Sequence, residues 1–363
     1  MAIPASNGKT ILITGINGYI AGVLGLHLLS KGYSIRGTSR RAASSVPLLK
    51  GPYAPYADRV KFYEVPDMTV DGAFDEAVKG VDGIFHTASP LDFSIATYEK
   101  MVIPAVRGNE TILASALKAG PQLTSVVVTS SVVSIINPTE GPRTFTEKDW
   151  ASAALEKAIK DKAEGVAAPG GQLYAASKTA SDRAMWKFRD EYKPSFAITT
   201  INPSVVIGPP VILPESGSKL NETLRPLFNI FSGTFKEVPP NIGSGSFVDV
   251  RDVAFMHTWA YEHPEKADGE RYIACEGSGP SQAIADVLRY AYKGTPIAEK
   301  IPVGNPGVGY VGYNKETGKV ENMNYLPENV KVDGSKARKE MGFEYITFPQ
   351  SIVDTAKAME PLL

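Results

Sequence analysis

The chain alternates short β-branched, apolar runs with longer stretches of helical pattern. The apolar runs lie at 10–14, 34–38, 60–65, 83–87, 125–129 and 197–201, and most are apolar at successive positions. Strands covered by helices on both faces have this pattern. The stretches between them predict helices at 19–31, 71–79, 98–118, 174–192 and 252–262. This order predicts the α/β fold class, with a Rossmann-like, doubly wound parallel sheet.

The pattern becomes less regular after Gly208, where Gly208-Pro209-Pro210 begins a region punctuated by Pro and Gly. A chain of 363 residues is also long for a single core, so we predict two domains. The first is a Rossmann domain of residues 1–207, onto which 244–265 and a C-terminal helix at 345–363 pack back. The second is a smaller, loop-rich substrate lobe formed by 208–243 and 266–344.

Composition and charge argue against several classes of partner and site. Lys plus Arg number 38 and Asp plus Glu 39, a net charge of −1, so we expect binding to neither nucleic acid nor an anionic membrane surface. No stretch predicts a signal peptide or a membrane span. Cys275 is the only cysteine, which excludes an internal disulfide and agrees with a cytoplasmic location. The 4 histidines lack metal-ligand spacing, so we expect no metal site.

A glycine-rich turn joins the first predicted strand to the first predicted helix, with the sequence TGINGYIAG from Thr14 to Gly22. Gly15 allows a sharp turn, and Gly18 lets the backbone approach a pyrophosphate at the helix N-terminus. Ala21 is small enough for close packing of helix on strand. Such a turn also occurs without a ligand, but its position between strand and helix favours dinucleotide binding.

The second predicted strand ends in Ser39-Arg40-Arg41, where an NAD-binding domain usually has an acidic residue that bonds the ribose. Two guanidinium groups at this place suit the 2′-phosphate of NADP(H). The alternative is that both arginines are solvated surface residues. The absence of the acid favours NADP(H) as the cofactor.

Tyr174 and Lys178 are the candidate catalytic residues. They are four residues apart in a predicted helix, so their side chains share one face, and no other Tyr is followed by Lys at this spacing. Such a pair, by itself, is often only structural. Thr129-Ser130-Ser131 follows a buried strand, however, and would bring a hydroxyl to the carboxyl edge of the sheet beside a cofactor.

These side chains together suit a reductase. A tyrosine phenol, with a pKa of about 10 when free, becomes more acidic beside an ammonium group and can donate a proton to a nascent alkoxide. A serine hydroxyl would orient the carbonyl oxygen, and Lys178 would anchor the nicotinamide ribose. The cofactor supplies the hydride, so neither a metal nor a protein nucleophile is required.

The motifs resemble those of the extended short-chain dehydrogenase/reductase family. The resemblance includes YAASKT from Tyr174 to Thr179, HTASP from His86 to Pro90, Asn202-Pro203 followed by Gly208-Pro209, FVDVRDV from Phe247 to Val253 and IPVG from Ile301 to Gly304. Within the family, the chain is most similar to the dihydroflavonol-reductase-like branch, and there to yeast and fungal NADPH-dependent reductases of the methylglyoxal and isovaleraldehyde type. The resemblance spans nearly the whole chain and implies reduction of aldehydes and ketones to alcohols.

The resemblance also implies roles for individual residues. Ser131, Tyr174 and Lys178 match the catalytic residues, with Tyr174 as the proton donor, and Arg40 matches the contact to the 2′-phosphate. The implied NADP(H) contacts are Gly15, Asn17, Gly18, Tyr19, Ile20, Arg40, Arg41, Asp67, Met68, Thr87, Ala88, Ser89, Thr129, Tyr174, Lys178, Pro203 and Val206. Among them, Asp67 and Met68 correspond to the pair that contacts adenine.

Two features depart from the family pattern. A lysine that is usual four residues beyond Arg40 is Ser44 here, and Arg41 is its expected replacement. An insertion at 151–171 precedes the candidate tyrosine, and its composition predicts a solvated helix or a mobile loop. Asn109, which is of the type that relays protons in some reductases, is expected on an ordinary helix surface.

Apolar side chains near the expected strand ends are the candidate walls of a substrate pocket. They are Phe93, Val132, Val133, Val205, Leu227, Phe228 and Phe231, and core packing is the alternative for each. Only Lys219, Arg225 and Lys236 supply cations between Gly208 and Asp249, too few for a diphosphate-bearing sugar. The expected partner is therefore a small hydrophobic or aromatic carbonyl compound.

Two other function classes stay open. A nucleotide-sugar epimerase shares the scaffold but recycles a tightly held NAD, so net consumption of NADPH separates it from a reductase. A non-catalytic dinucleotide sensor would keep the glycine turn without the catalytic groups, and the presence of Ser131, Tyr174 and Lys178 argues against it. We expect a monomer or a homodimer.

Overall fold

The computed structural model describes residues 3–326 and 328–363. Its strands are β1 (Thr10–Thr14), β2 (Ser34–Ser39), β3 (Val60–Glu64), β4 (Gly83–His86), β5 (Ser125–Thr129), β6 (Thr144–Phe145), β7 (Ala197–Pro203), β8 (Val205–Ile207), β9 (Ser246–Asp249), β10 (Arg271–Ala274), β11 (Gly277–Ser278), β12 (Tyr310–Tyr313), β13 (Val320–Tyr325) and β14 (Lys331–Val332). The six predicted strands are β1 to β5 and β7, each ending within two residues of its prediction.

The helices include all five that the sequence predicts. They are α1 (Tyr19–Ser30), α2 (Val46–Lys50), α3 (Asp75–Val78), α4 (Tyr98–Ala116), α5 (Ser152–Ala163), α6 (Gly170–Tyr192), α7 (Leu224–Phe231), α8 (Val250–Glu262), α9 (Pro264–Ala267), α10 (Ser281–Ala291), α11 (Pro296–Lys300), α12 (Ser335–Met341) and α13 (Phe348–Met359). Helix α3 is shorter than predicted, and α6 begins four residues earlier. None of these helices is both long and apolar enough to cross a membrane, in the residues described.

A seven-stranded sheet has the order β10-β7-β5-β4-β1-β2-β3. The pairs of β1 with β2 and β4, β2 with β3, β4 with β5 and β5 with β7 are all parallel. From β1 the chain first adds strands on one side and then, from β4, on the other, so the strand order reverses between β1 and β4. The predicted doubly wound α/β sheet is confirmed, and its switch point lies where the glycine turn follows β1.

Both faces of this sheet are covered by helices. A row of residues paired in register across four strands packs on one face against α3, α4 and α6: Leu12, Ile84, Val126 and Ile198. On the other face the Phe85 ring contacts His257 and Tyr261 of α8, at centroid distances of 5.8 and 6.1 Å. Burial on both faces explains why the strands are apolar at successive positions.

The chain divides into two compact units. Unit 1 comprises Met1–Pro138, Glu147–Asn202 and Ala254–Tyr272, and unit 2 comprises Thr139–Thr146, Pro203–Val253 and Ile273–Leu363. Unit 1 contains β1 to β5, most of β7 and helices α1 to α6. The predicted assignment of 208–243 and 266–344 to substrate binding stays a prediction.

Unit 2 is built around the sheet β11-β9-β8 and the pairs β12-β13 and β6-β14, in the part of the chain described. Its C-terminal helix α13 packs on this sheet: Phe348 contacts Phe247 of β9 at a centroid distance of 5.1 Å, and the Thr355 hydroxyl accepts the Gly208 N–H at 2.8 Å. Helix α13 is thus part of unit 2. That 244–265 and 345–363 pack back on the Rossmann domain stays a prediction.

The insertion before Tyr174 is an ordered, partly buried element. Leu155 and Ala158 of α5, three residues apart and therefore on one helix face, pack in a cluster with Met101 and Val102 of α4. The insertion is therefore neither fully solvated nor a mobile loop, because this stripe of α5 is covered.

Candidate active site

Tyr174 and Lys178 lie one turn apart on α6, at the carboxyl end of β5. Lys178 Nζ donates to the Thr129 carbonyl at 3.1 Å and lies 5.9 Å from the centroid of the Tyr174 ring. The Lys178 side chain is buried and Tyr174 is half-buried. The predicted pair is thus on one helix face and directed at the strand end that precedes the two serines.

Ser131 begins a 3₁₀ turn at Val132–Ser134, and its hydroxyl accepts the Val133 N–H at 3.3 Å. Burial raises the pKa of Tyr174, while a hydrogen bond with the Ser131 side chain opposes this rise. Burial also lowers the pKa of Lys178 to about 8, against the attraction of the nearby Asp182 carboxylate. The three predicted catalytic residues therefore meet in unit 1, where burial makes both proton-carrying groups sensitive to neighbouring charge.

The glycine turn has the conformation that its sequence predicts. Gly15 has φ 67°, and a Cβ there would lie 3.3 Å from Cα and Cβ of Ala88. Gly18 precedes α1 and donates to the Gly15 carbonyl at 2.8 Å. Tyr19 and Ile20 form the first turn of α1 and are half-buried. Backbone N–H groups at this helix start, with no side chain at Gly15 or Gly18, form a cradle that fits a pyrophosphate.

Hydrogen bonds to the Thr14 side chain hold the loop after β4 against this turn. The sequence did not predict them. Thr14 Oγ1 accepts the N–H groups of Thr87 and Ala88, at 3.1 and 3.0 Å, so its own proton goes to His86 Nδ1 at 2.9 Å. Burial lowers the pKa of His86 to about 3, so the imidazole is neutral and carries its proton on Nε2. Ser89 follows, half-buried. The sequence does not predict this contact, because it depends on Thr14 of β1 and His86 of β4 being paired in the sheet, and only the sheet register shows that pairing.

The predicted adenosine contacts lie beyond β2 and β3. Arg40 and Arg41 are exposed directly after β2. Asp67 is exposed and accepts hydrogen bonds from the Thr69 N–H and hydroxyl, which lower the pKa of its carboxyl. Met68 is half-buried, and its carbonyl accepts the hydroxyl of Thr111 in α4 at 2.6 Å.

Ser44 replaces the lysine of the family pattern and has a structural partner. Its hydroxyl donates to the Arg41 carbonyl at 2.6 Å and accepts a hydrogen bond from Asn17 Nδ2 at 3.2 Å. The short helical turn after β2 is thereby tied to the glycine turn. Ser44 supports the site without adding a cation, so positive charge at this position rests on Arg40 and Arg41.

The candidate substrate walls divide into two groups. Phe93 is 44% exposed and meets the Tyr174 ring edge-on, at a centroid distance of 5.7 Å and an angle of 89°. Val132 is buried and Val133 half-buried, next to Ser131. These three residues of unit 1 lie next to the candidate catalytic residues, Phe93 beside Tyr174 and the two valines directly after Ser131.

The other candidates, with two predicted cofactor contacts, belong to unit 2. Pro203 and Val206 are buried, and Val205 is half-buried. Leu227 and Phe231 are both 0% exposed, and Phe228 is 6% exposed. A wall residue of an open pocket keeps accessible surface, so the burial of Leu227 and Phe231 favours core packing over substrate contact.

Asn109 corrects another expectation, because it is buried in α4 instead of lying on a helix surface. Its Nδ2 donates to the Ser181 carbonyl of α6 at 3.1 Å, because α4 packs against α6 on this face. Among residues 3–326 and 328–363, no group of three or more His, Cys, Asp or Glu is placed to hold a metal ion.

Comparison with known proteins agrees with this geometry. The profile of the NAD dependent epimerase/dehydratase family matches residues 11–275. The chain is 31% identical to a putative NADPH-dependent methylglyoxal reductase of Candida albicans, over 96% of this chain and 98% of that protein. It is 34% identical to aldehyde reductase 2 of Sporidiobolus salmonicolor, over 81% and 84% of the two chains.

A solved structure has the same fold over nearly the full length. The yeast methylglyoxal/isovaleraldehyde reductase complexed with NADPH superposes with a TM-score of 0.80 at 26% identity, covering 98% of this chain and 100% of that one. The sheet order, the glycine turn and the family profile lead to the same conclusion. The chain belongs to the NAD dependent epimerase/dehydratase family, that is, to the extended short-chain dehydrogenases/reductases.

Proposed function

We propose that this protein is an NADPH-dependent carbonyl reductase that converts aldehydes and ketones to alcohols, with Tyr174 as the proton donor. The observation that carries the proposal is the meeting of Tyr174, Lys178 and Ser131 at the carboxyl end of β5. The names of the relatives, which include NADPH-dependent methylglyoxal, aldehyde and ketone reductases, support it.

The cofactor when bound supplies the hydride that reduces the carbonyl carbon. Gly15, Gly18 and the first turn of α1 would hold its pyrophosphate, and Arg40 with Arg41 would provide positive charge for the 2′-phosphate. Ala88, after the end of β4, lies against Gly15 and therefore forms part of the same pyrophosphate cradle. The residues present therefore fit NADP(H).

The chain's own groups handle the proton. The Ser131 hydroxyl holds the carbonyl oxygen, and Tyr174 donates its phenolic proton to the oxygen as negative charge develops there. The Lys178 ammonium stabilises the phenolate that remains. Phe93 and Val133 offer apolar surface beside Tyr174, which favours hydrophobic or aromatic carbonyl substrates.

A panel of aliphatic aldehydes, aryl ketones, ketoesters and diketones, followed by NADPH oxidation, tests the activity. We expect Tyr174→Phe to lower turnover by about 10² to 10⁴ while NADPH affinity stays within about twofold, because the change removes a proton donor and keeps the ring. Tyr192→Phe, at the exposed end of the same helix, is the matched control and should behave as wild type.

Two results would overturn the proposal in different ways. Turnover above half of wild type in Tyr174→Phe, with hydride transfer shown to limit the rate, would remove Tyr174 as the donor. Interconversion of a nucleotide sugar with no net NADPH consumption would replace the reductase activity by epimerisation.

A further inference from the structure

A buried carboxylate lies one turn beyond the catalytic lysine. Tyr174, Lys178 and Asp182 follow one another at four-residue spacing on α6, and Asp182 is 1% exposed. Burying a carboxylate without hydrogen bonds or an opposite charge would cost free energy of folding. The partners of Asp182 therefore indicate its role. The three side chains form a continuous row on the face of α6 that is turned to β5.

In the part of the chain that the structure describes, the hydrogen bonds to Asp182 all reach one of its two carboxylate oxygens. Ser130 donates to Oδ2 at 2.7 Å, the Ser134 hydroxyl lies 3.0 Å from it and Asn202 Nδ2 lies 3.4 Å from it. Oδ1 is buried and has no hydrogen-bond partner among the described residues. Ser130 and Ser134 flank Ser131, and Asn202 also donates to the Ser131 carbonyl at 3.3 Å. The carboxylate therefore ties α6 to the segment that presents the catalytic serine.

A fixed cation faces the same oxygen. Arg271 Nη2 lies 3.9 Å from Asp182 Oδ2, and its guanidinium stacks on the Trp150 ring at 3.9 Å. Its Nη1 donates to the carbonyls of Glu147 and Asp149, at 2.9 and 2.8 Å. Burial raises the pKa of Asp182, and Arg271 followed by the Ser130 hydrogen bond opposes this rise. The guanidinium is therefore the main charge that opposes the effect of burial on this carboxylate.

We propose that Asp182, held by Arg271, is a positioning residue for catalysis: it orients the Ser131 segment and sets the charge that Lys178 and Tyr174 experience. This inference rests on the proposed reductase function. It assigns a role to a side chain that touches neither substrate nor cofactor in that mechanism.

The ionisable groups around Lys178 come from several elements: Tyr174 and Asp182 on α6, His86 at the end of β4, His257 of α8 through its bond to Thr129 Oγ1, and Arg271 in β10 behind Asp182. Asp182 raises the pKa of both Lys178 and Tyr174. Removing its charge lowers both values, so the protonated pair needed for reduction is lost at a lower pH.

The test is the pH profile of kcat for carbonyl reduction by Asp182→Asn. We expect kcat to fall by roughly tenfold to a hundredfold from the disturbed serine segment, and the alkaline limb of the profile to move to lower pH by about half a unit or more. Asp182→Glu keeps the charge and should restore the position of the limb, with a reduced kcat. A purely structural carboxylate would lower the melting temperature without moving the limb.

Asp82→Asn is the matched control. Asp82 is a buried carboxylate of the same unit, but it precedes β4 at the amino edge of the sheet, where it accepts from Lys9 Nζ and the Thr10 N–H at 2.8 and 2.9 Å. We expect its profile to match wild type. NADPH binding and thermal unfolding establish that each variant is folded.

If Asp182→Asn does not fold, two variants that keep the negative charge replace it, Asp182→Glu and Ser130→Ala. Both must then lower kcat while the alkaline limb of the pH profile stays at its wild-type position.

An unmoved limb in folded Asp182→Asn overturns the inference, as does wild-type kcat in both Asp182→Glu and Ser130→Ala. Tyr174→Phe, measured alongside, separates this failure from that of the proposed function. If Tyr174→Phe is inactive while the limb of Asp182→Asn stays in place, the reductase mechanism holds and only the role of Asp182 is lost.

Discussion

At the scale of single residues, Arg40 is the side chain on which we expect the cofactor preference to depend most. It is exposed directly after β2, and Ser44, which replaces a cation of the family pattern, is used in hydrogen bonds to Asn17 and Arg41. A guanidinium can make a bidentate, charge-assisted contact to a phosphate. We therefore expect discrimination between NADPH and NADH to depend mainly on Arg40, with Arg41 secondary.

We expect Arg40→Ala to weaken NADPH binding by roughly ten- to hundredfold while NADH binding changes little, since only NADPH carries the 2′-phosphate. Fluorescence titration of both cofactors measures this. Lys50→Ala removes an exposed cation further along the same region and should leave both affinities unchanged. Equal weakening of NADPH and NADH by Arg40→Ala would instead mean that the residue supports the fold or the pyrophosphate.

At the scale of elements, the start of α6 explains why Phe93 lies against the catalytic tyrosine. A Cβ at Gly170 would lie 2.1 Å from the Phe93 carbonyl oxygen, so only glycine allows the loop after β4 to approach the helix this closely. The loop then places the Phe93 ring on Tyr174. Helix α7, in contrast, directs Leu227 and Phe231 into the core of unit 2, with Phe231 against Tyr292 at 5.1 Å.

These two environments predict opposite outcomes of truncation. Phe93→Ala should change the ranking of carbonyl substrates in kcat/KM by about tenfold or more with little change in stability, because the ring is partly exposed beside Tyr174. Leu227→Ala should lower the free energy of unfolding by about 2–5 kcal/mol and leave the ranking unchanged, because it opens a cavity. A substrate panel with chemical denaturation distinguishes them. A changed ranking of carbonyl substrates in folded Leu227→Ala would mean that α7 lines the substrate pocket.

At the scale of the whole molecule, a buried carboxyl and a half-buried carboxyl in unit 2 are expected to make stability depend on pH. Burial raises the pKa of Asp252 and of Glu276 to about 7 in each case. Asp252 accepts the Ile346 N–H at 2.9 Å, which partly opposes the rise. The folded chain keeps protons on these groups that the unfolded chain releases above about pH 4. Their stabilising contribution is complete below that pH and is lost as pH rises through about 7.

We therefore expect the free energy of unfolding of Asp252→Asn to fall less steeply than that of wild type between about pH 4 and 7, because one of the two titrating groups is gone. Urea denaturation at several pH values measures the slope. Asp71→Asn, which removes a carboxylate that is 93% exposed, is the control and should keep the wild-type slope. An unchanged slope in Asp252→Asn would show that this carboxyl titrates normally in the folded chain.

Features that depend on neighbours in sequence were predictable. The strands of unit 1 are apolar at successive positions because both faces are covered, and the glycine turn contains the one residue type that adopts a φ of 67° without strain. Tyr174 and Lys178 share a face because a helix repeats every 3.6 residues. These local relations determined the fold class, the glycine turn and the pairing of Tyr174 with Lys178 on one helix face.

Features that depend on contacts between distant segments were decided only by the tertiary structure. All the elements from β7 to α9 lie between Asp182 and Arg271 in the sequence, so no spacing rule predicts that this carboxylate and this guanidinium meet near Lys178. The same holds for Thr14 with His86, and for α13, whose burial against Phe247 depends on a sheet that local pattern does not predict. Apolar periodicity shows that Leu227 is buried but not whether it faces core or substrate. Only the packing of one segment against another decides that.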